Sequence, residues 1–123
     1  MKIAAAFPIF FLYLFSSCSK TETSKEDMLT AGKWQVTGYI CYCGGTSPLD
    51  IYAAYITCEK DDYYMFYKGG TAEVNDGATK CKSSNVQSYT ESWSFNSDAT
   101  RFMYKGKDWS IVQLNKTTFV ISQ

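Results

Sequence analysis

The sequence predicts an all-β protein, a small up-and-down barrel of about eight antiparallel strands. Apolar and aromatic residues alternate with period two along most of the chain after residue 30, Gly- and Asn-rich turns interrupt them at short intervals, and no segment longer than two turns keeps a helical period. The 123 residues are 46% hydrophobic, 17% aromatic and 20% charged with two Pro, which excludes collagen-like, coiled-coil and disordered chains. Twelve Lys plus Arg balance twelve Asp plus Glu and there is no His, so the chain has neither a basic field for nucleic acid nor imidazole chemistry.

The amino-terminus stands apart from the fold. Met1 and Lys2 form a short positive region, and Ile3 to Phe15 (IAAAFPIFFLYLF) is an apolar run too short to span a bilayer core of about 30 Å. Residues 1–17 therefore read as a secretory signal peptide. Phe15-Ser16-Ser17-Cys18 resembles the lipobox of bacterial lipoproteins in the looser form used by Bacteroidetes-type bacteria, with Phe15 in place of the usual Leu. That resemblance implies lipidation of Cys18, whose three acyl chains would each contribute about 0.8 kcal/mol per buried methylene and anchor the protein without spanning. Ser19 to Asp27 (SKTETSKED) has no apolar residue, so 18–27 reads as a lipidated Cys and flexible tether, and 28–123 as the folded domain. Ser19, where a retention signal would carry Asp, points to the outer membrane by resemblance to the enterobacterial sorting rule.

Within the domain, Glu26 to Ala31 has room for one helical turn. Gly32 to Ile40 alternates with Trp34, Val36, Gly38 and Ile40 on one side. Asp61 to Tyr67 sets Tyr63, Met65 and Tyr67 opposite Tyr64 and Phe66, and Lys68-Gly69-Gly70 supplies the positive φ of a tight hairpin before Thr71 to Val74 returns. Asn75-Asp76-Gly77 is a second turn, after which Val86 to Phe95 places Tyr89, Glu91, Trp93 and Phe95 on one face. Arg101 to Tyr104, Trp109 to Leu114 and Thr118 to Ile121 complete the series. Ser47 to Thr57 fits both periods and reads as a loop with a short helix or strand. So many strands in so short a domain must close or expose sticky edges, which favours a barrel over a sandwich.

After Cys18, four cysteines remain in an oxidising compartment, and four allow three pairings. Cys58 and Cys81 enclose a segment of hairpin size, which favours joining them; the bridge would contribute roughly 3 kcal/mol on the loop-entropy model. Cys41 and Cys43 on one strand would lie about 6.5 to 7 Å apart, beyond relaxed geometry, and pair only if Cys43 enters the turn begun by Gly44-Gly45. With no His and two Cys engaged, a zinc site lacks ligands.

Gly32-Lys33-Trp34 on the first strand is similar to the Gly-X-Trp signature of lipocalins. The longer run from Leu29 to Ile121, with Cys58-Glu59-Lys60-Asp61-Asp62, Phe66, Gly69-Gly70-Thr71, Gly77, Cys81, Trp93-Ser94-Phe95 and Trp109 to Leu114, resembles the lipocalin-like domain of Bacteroidetes lipoproteins. The resemblance implies a short lipocalin-like barrel with Trp34 closing its floor, a Cys58–Cys81 disulfide and a cell-envelope location. Cys41-Tyr42-Cys43-Gly44-Gly45 departs from the pattern.

The chemistry is sparse. Asp61-Asp62 beside Glu59 offers too few oxygens for Ca²⁺ and reads as a solvated strand start. Glu91, on a face with Tyr89, Trp93 and Phe95, would need a partner such as Arg101 if that face is inside. No phosphate loop, nucleophile elbow or metal motif occurs, so neither enzyme activity, cofactor nor metal is expected. The expected function is binding of a small hydrophobic or aromatic-stacking ligand, with Tyr63, Met65, Tyr67, Tyr89 and Trp93 as candidate contacts. The alternative is an interaction module with a filled core and partner-binding loops. A first prediction follows from Cys18: in cells grown with labelled palmitate, the wild type carries label and Cys18→Ser does not.

Overall fold

The computed structural model describes residues 21–123. The signal peptide expected at 1–17 and the lipidation residue Cys18 lie outside the described residues. Helix α1, Lys25–Thr30, is capped by Ser24, whose hydroxyl accepts from the Asp27 backbone N–H at 3.0 Å, and Glu26 and Asp27 complement the helix dipole in its first turn. The helix starts three residues before the domain boundary expected at Met28, because Ser24 and the acids of the supposed tether supply the cap.

The strands are β1 (Lys33–Trp34), β2 (Ile40–Cys41), β3 (Leu49–Asp50), β4 (Tyr63–Tyr67), β5 (Thr71–Asn75), β6 (Ser88–Phe95), β7 (Arg101–Tyr104), β8 (Lys107–Leu114) and β9 (Phe119–Ser122). Seven form one antiparallel sheet in the order β1-β4-β5-β6-β7-β8-β9, while β2 and β3 make a separate hairpin. A 3₁₀ turn (Tyr52–Ala54) and helix α2 (Thr57–Lys60) follow that hairpin. The all-β meander expected from period-two alternation is thus the observed architecture.

The sheet curls strongly. Strands β4 and β7 are three positions apart, which in a flat sheet separates them by roughly 14 Å. The Phe66 ring on β4 nevertheless lies 5.7 Å from Phe102 on β7 and 6.4 Å from Phe119 on β9. Even the two edges meet through side chains, with Trp34 of β1 5.9 Å from Phe119 in an edge-on arrangement, although no backbone pairing joins β1 to β9 among the described residues. The result is a curled half-barrel whose concave face is aromatic. Leu29 from α1, Phe66, Ala72, Trp93 and Phe102 form its buried core, with Tyr64, Phe95, Tyr104, Trp109, Ile111 and Phe119 packed around them.

The first strand is much shorter than the expected Gly32 to Ile40. Its register sets Lys33 against Met65 and Trp34 against Tyr64, so Val36 would face Asp62, which already lies outside β4. With α2 just upstream, the chain beyond Trp34 finds no ladder and leaves the sheet, exposing Tyr39 and Ile40. The turns obey their local chemistry. Lys105 and Gly106, both at positive φ, make the two-residue hairpin between β7 and β8. A Cβ at Gly77 would run into the backbone of Asp61, so that turn admits only glycine.

Cys58 and Cys81 are joined, with Cα atoms 5.1 Å apart, stapling α2 to the long loop before β6. Cys43 has left the strand, and its Cα lies 5.2 Å from that of Cys41, at disulfide distance and not the flat-strand separation. Gly44 at φ +79°, donating back to Tyr42 O at 3.0 Å, makes the bend. Under non-reducing conditions, Cys58→Ser should lower the melting temperature by more than ten degrees, given about 3 kcal/mol for the loop and roughly 4 to 8 °C per kcal/mol at this size. Cys41→Ser, which opens only a sequence separation of 2, should lower it less in the same circular-dichroism melt.

Candidate functional site

The two ends of the curled face differ. At one end α1 packs against β4 and β8, and its Leu29 is wholly buried. The Leu29 carbonyl accepts from Trp34 Nε1 at 2.8 Å, Asp27 pairs with Lys68 in the β4–β5 turn, and Lys25 donates to Ala99 O in the β6–β7 turn. This end is closed by the helix and by the rings of Phe66, Trp93 and Phe102. An open groove of about 950 Å³ runs outside it, bordered by Ser24, Met28, Gly70, Phe95, Ala99 and Leu114.

The opposite end, the mouth, collects residues from five of the sheet's strands and one turn. Cross-strand register places them together: Tyr64 faces Val74, Val74 faces Tyr89, Ala72 faces Glu91 and Tyr104 faces Lys107, all on the concave side. Lys105 projects from the β7–β8 turn, donates to Tyr89 Oη at 3.1 Å and lies 3.8 Å from Glu91. Its ammonium sits 5.3 Å from the Tyr89 ring and 5.6 Å from the Tyr104 ring, a cation-π cage. Tyr64 meets Tyr104 edge-on at 6.4 Å, and Lys107 lies 5.9 Å above the Trp109 ring.

Two donors in this cluster are buried without a hydrogen-bond partner, Tyr104 Oη and Trp109 Nε1. Native folds pair the large majority of such atoms, and an unmade bond of this kind costs about 1 to 3 kcal/mol. Burial pushes the Tyr104 hydroxyl far above the usual tyrosine value, reinforced by the neighbouring Tyr64, Tyr89 and Glu91. Tyr64 is raised for the same first reason, with Lys105 opposing. On the far side of the mouth, desolvation and then the charges of Asp76, Asp61 and Glu59 raise the Asp62 carboxyl, and Asp61 Oδ1 and Asp62 Oδ1 are also buried and unpaired. Among the described residues no group of three His, Cys, Asp or Glu is placed to hold a metal.

The five candidate ligand contacts do not share a surface. Tyr63, Met65 and Tyr67 point outward, where Lys33 Nζ lies 4.8 Å from the Tyr63 ring and Tyr67 Oη donates to Glu73 at 3.2 Å. Trp93 faces inward but is buried at the closed end, its Nε1 shared between Tyr67 O and Thr71 O. Only Tyr89 stands at the mouth. Glu91 is half-buried and pairs with Lys105 in place of the expected Arg101, which lies on the convex side and holds Asp108 at 2.9 Å. Gly32 is exposed with open space at its Cβ position, and Trp34 packs at the sheet edge. Sequence reasoning missed Tyr104, Lys105, Lys107 and Trp109 as site residues; the visible signal was that Tyr104 and Trp109 flank a Lys-Gly hairpin turn.

Comparison of the chain with protein-family models, curated proteins and solved structures found no match. The alkaline pH dependence follows from the tyrosines. Because the folded Tyr104 pKa lies above its ordinary value of 10.0, its contribution is intact below pH 10 and is lost as pH rises from there toward the folded pKa, where the unfolded chain ionises first. Thermal melts between pH 9 and 12 should show a falling melting temperature for the wild type and a shallower fall for Tyr104→Phe.

Proposed function

We propose that this chain is a lipid-anchored cell-envelope protein, held through Cys18 in the outer membrane. Its lipocalin-like half-barrel binds a small hydrophobic or aromatic-stacking ligand at the mouth. The reading carries no catalytic step and no cofactor. The observation that supports it best is the cluster of Tyr64, Tyr89 and Tyr104 on the concave face, with Lys105 over the Tyr89 and Tyr104 rings. Flat amphipathic rings of this kind can stack on a small aromatic or apolar molecule.

A second reading is supported by a different observation. Tyr42, Leu49 and Ile56, exposed at 77%, 59% and 60%, gather apolar surface on and around the β2–β3 hairpin, as an interaction module would. Native mass spectrometry of the full chain extracted from envelopes separates the two. The ligand reading expects a bound small molecule on the wild type that is absent from Tyr104→Ala; a wild type carrying only a protein partner favours the interaction module.

A further inference from the structure

We infer that Cys41–Cys43 is a reactive disulfide that oxidises a pair of reduced cysteines in an apolar stretch of another, unfolded polypeptide. The inference rests on the free hairpin surface of the interaction-module reading and is independent of the ligand reading. The two bridges of this chain differ in kind. Cys58–Cys81 has a sequence separation of 23 and includes the buried Cys58, so it constrains the unfolded chain and anchors α2. Cys41–Cys43 has a separation of 2, which contributes little loop entropy, and no residue of the buried core lies in the hairpin that carries it. Cys43 is exposed beyond the end of β2, beside the bend at Gly44, where an incoming thiolate can reach its sulfur. Exposed bridges are the ones that exchange, whereas structural bridges stay closed.

The surroundings define the substrate. From Trp34 to Thr57 the sole charged residue is Asp50. Ile40 and Tyr42 adjoin the cysteines in sequence and Leu49 pairs with Cys41 across the ladder, and all three are exposed. Such a surface takes up an apolar segment and has little charge with which to select an acidic or basic one. A polypeptide not yet folded presents the matching combination, reduced cysteines beside apolar residues that folding will later bury. In the first step a substrate thiolate attacks Cys43 Sγ, forming a mixed disulfide and breaking the Cys41–Cys43 bond. Cys41 Sγ leaves with the electron pair and takes a proton from solvent. The second substrate thiolate then attacks the substrate sulfur of the mixed disulfide and releases Cys43 Sγ, which is protonated in turn. Two electrons pass from the substrate dithiol, which becomes a disulfide, to Cys41 and Cys43, which become thiols; each closed bridge oxidises one dithiol.

The test mixes the full chain, in non-ionic detergent, with two synthetic peptides that each carry two reduced cysteines, one flanked by Leu and Phe and the other by Ser and Thr. Detergent alone is the blank. The apolar peptide should be oxidised about tenfold faster than the polar one, and the Cys41→Ser/Cys43→Ser double variant, with an unchanged circular-dichroism spectrum, should lose the reaction. Leu49→Ser should slow the apolar peptide several-fold and leave the polar one unchanged. A version of the apolar peptide with a single cysteine, quenched in acid, should be found by mass spectrometry on Cys43. In a glutathione buffer, alkylation should mark Cys41 and Cys43 well before Cys58 and Cys81. A Cys41–Cys43 bridge that stays closed while the apolar peptide still binds overturns the exchange and leaves the interaction reading standing. Equal oxidation of both peptides overturns the apolar substrate and the interaction surface with it, while exchange at the pair stands.

Discussion

The fold depends on the ring of Phe66. It touches Trp93, Phe102, Tyr104 and Phe119 with centroids 5.7 to 6.4 Å apart, so one side chain on β4 is in contact with β6, β7 and β9 at once. All four contacts are edge-on, the arrangement that the aromatic quadrupole favours and that adds about 0.5 to 1.5 kcal/mol to area burial. Among the described residues β4 makes no backbone ladder with any of those three strands. The twist intrinsic to antiparallel strands permits the curl, and the aromatic cluster packs across the concave face that results.

That same cluster decides how much interior the sheet keeps. Rings large enough to bend so small a sheet leave little interior, and Leu29 occupies what remains near α1. At the far end the inward positions are Tyr64, Tyr89 and Tyr104 in place of Phe, which puts hydroxyl groups there. The unpaired Tyr104 and Trp109 donors and the crowded Asp62 carboxyl are local costs that a domain of this size tolerates because the closed end is well packed.

The alternation of β4 through β9 and the positions of the turns were legible in the sequence, since period two and Gly or Asn at positive φ are local signals. The inner face of β4 was not. Both its faces are aromatic, Tyr63 and Tyr67 on one and Tyr64 and Phe66 on the other, and the choice is made by what lies opposite, Ala72 across the ladder and Phe102 across the curl. The short β1 was hidden for a similar reason: its length is set by where β4 begins, which α2 and the Cys58–Cys81 bridge determine. The partner of Glu91 was equally non-local. Arg101 is close in sequence but opposite in facing, whereas Lys105 reaches back over the hairpin turn.

The direction in which the chain enters the sheet has a vectorial consequence. Helix α1 and the turns at 68–70, 96–100 and 115–118 all lie at one pole, and the Lys105–Gly106 hairpin lies at the other. A support gripping the chain upstream of Ser24 meets the α1 pole first. The Lys105–Gly106 hairpin, with Tyr89 and Tyr104 beside it, is then turned away from that support along the long axis of the strands.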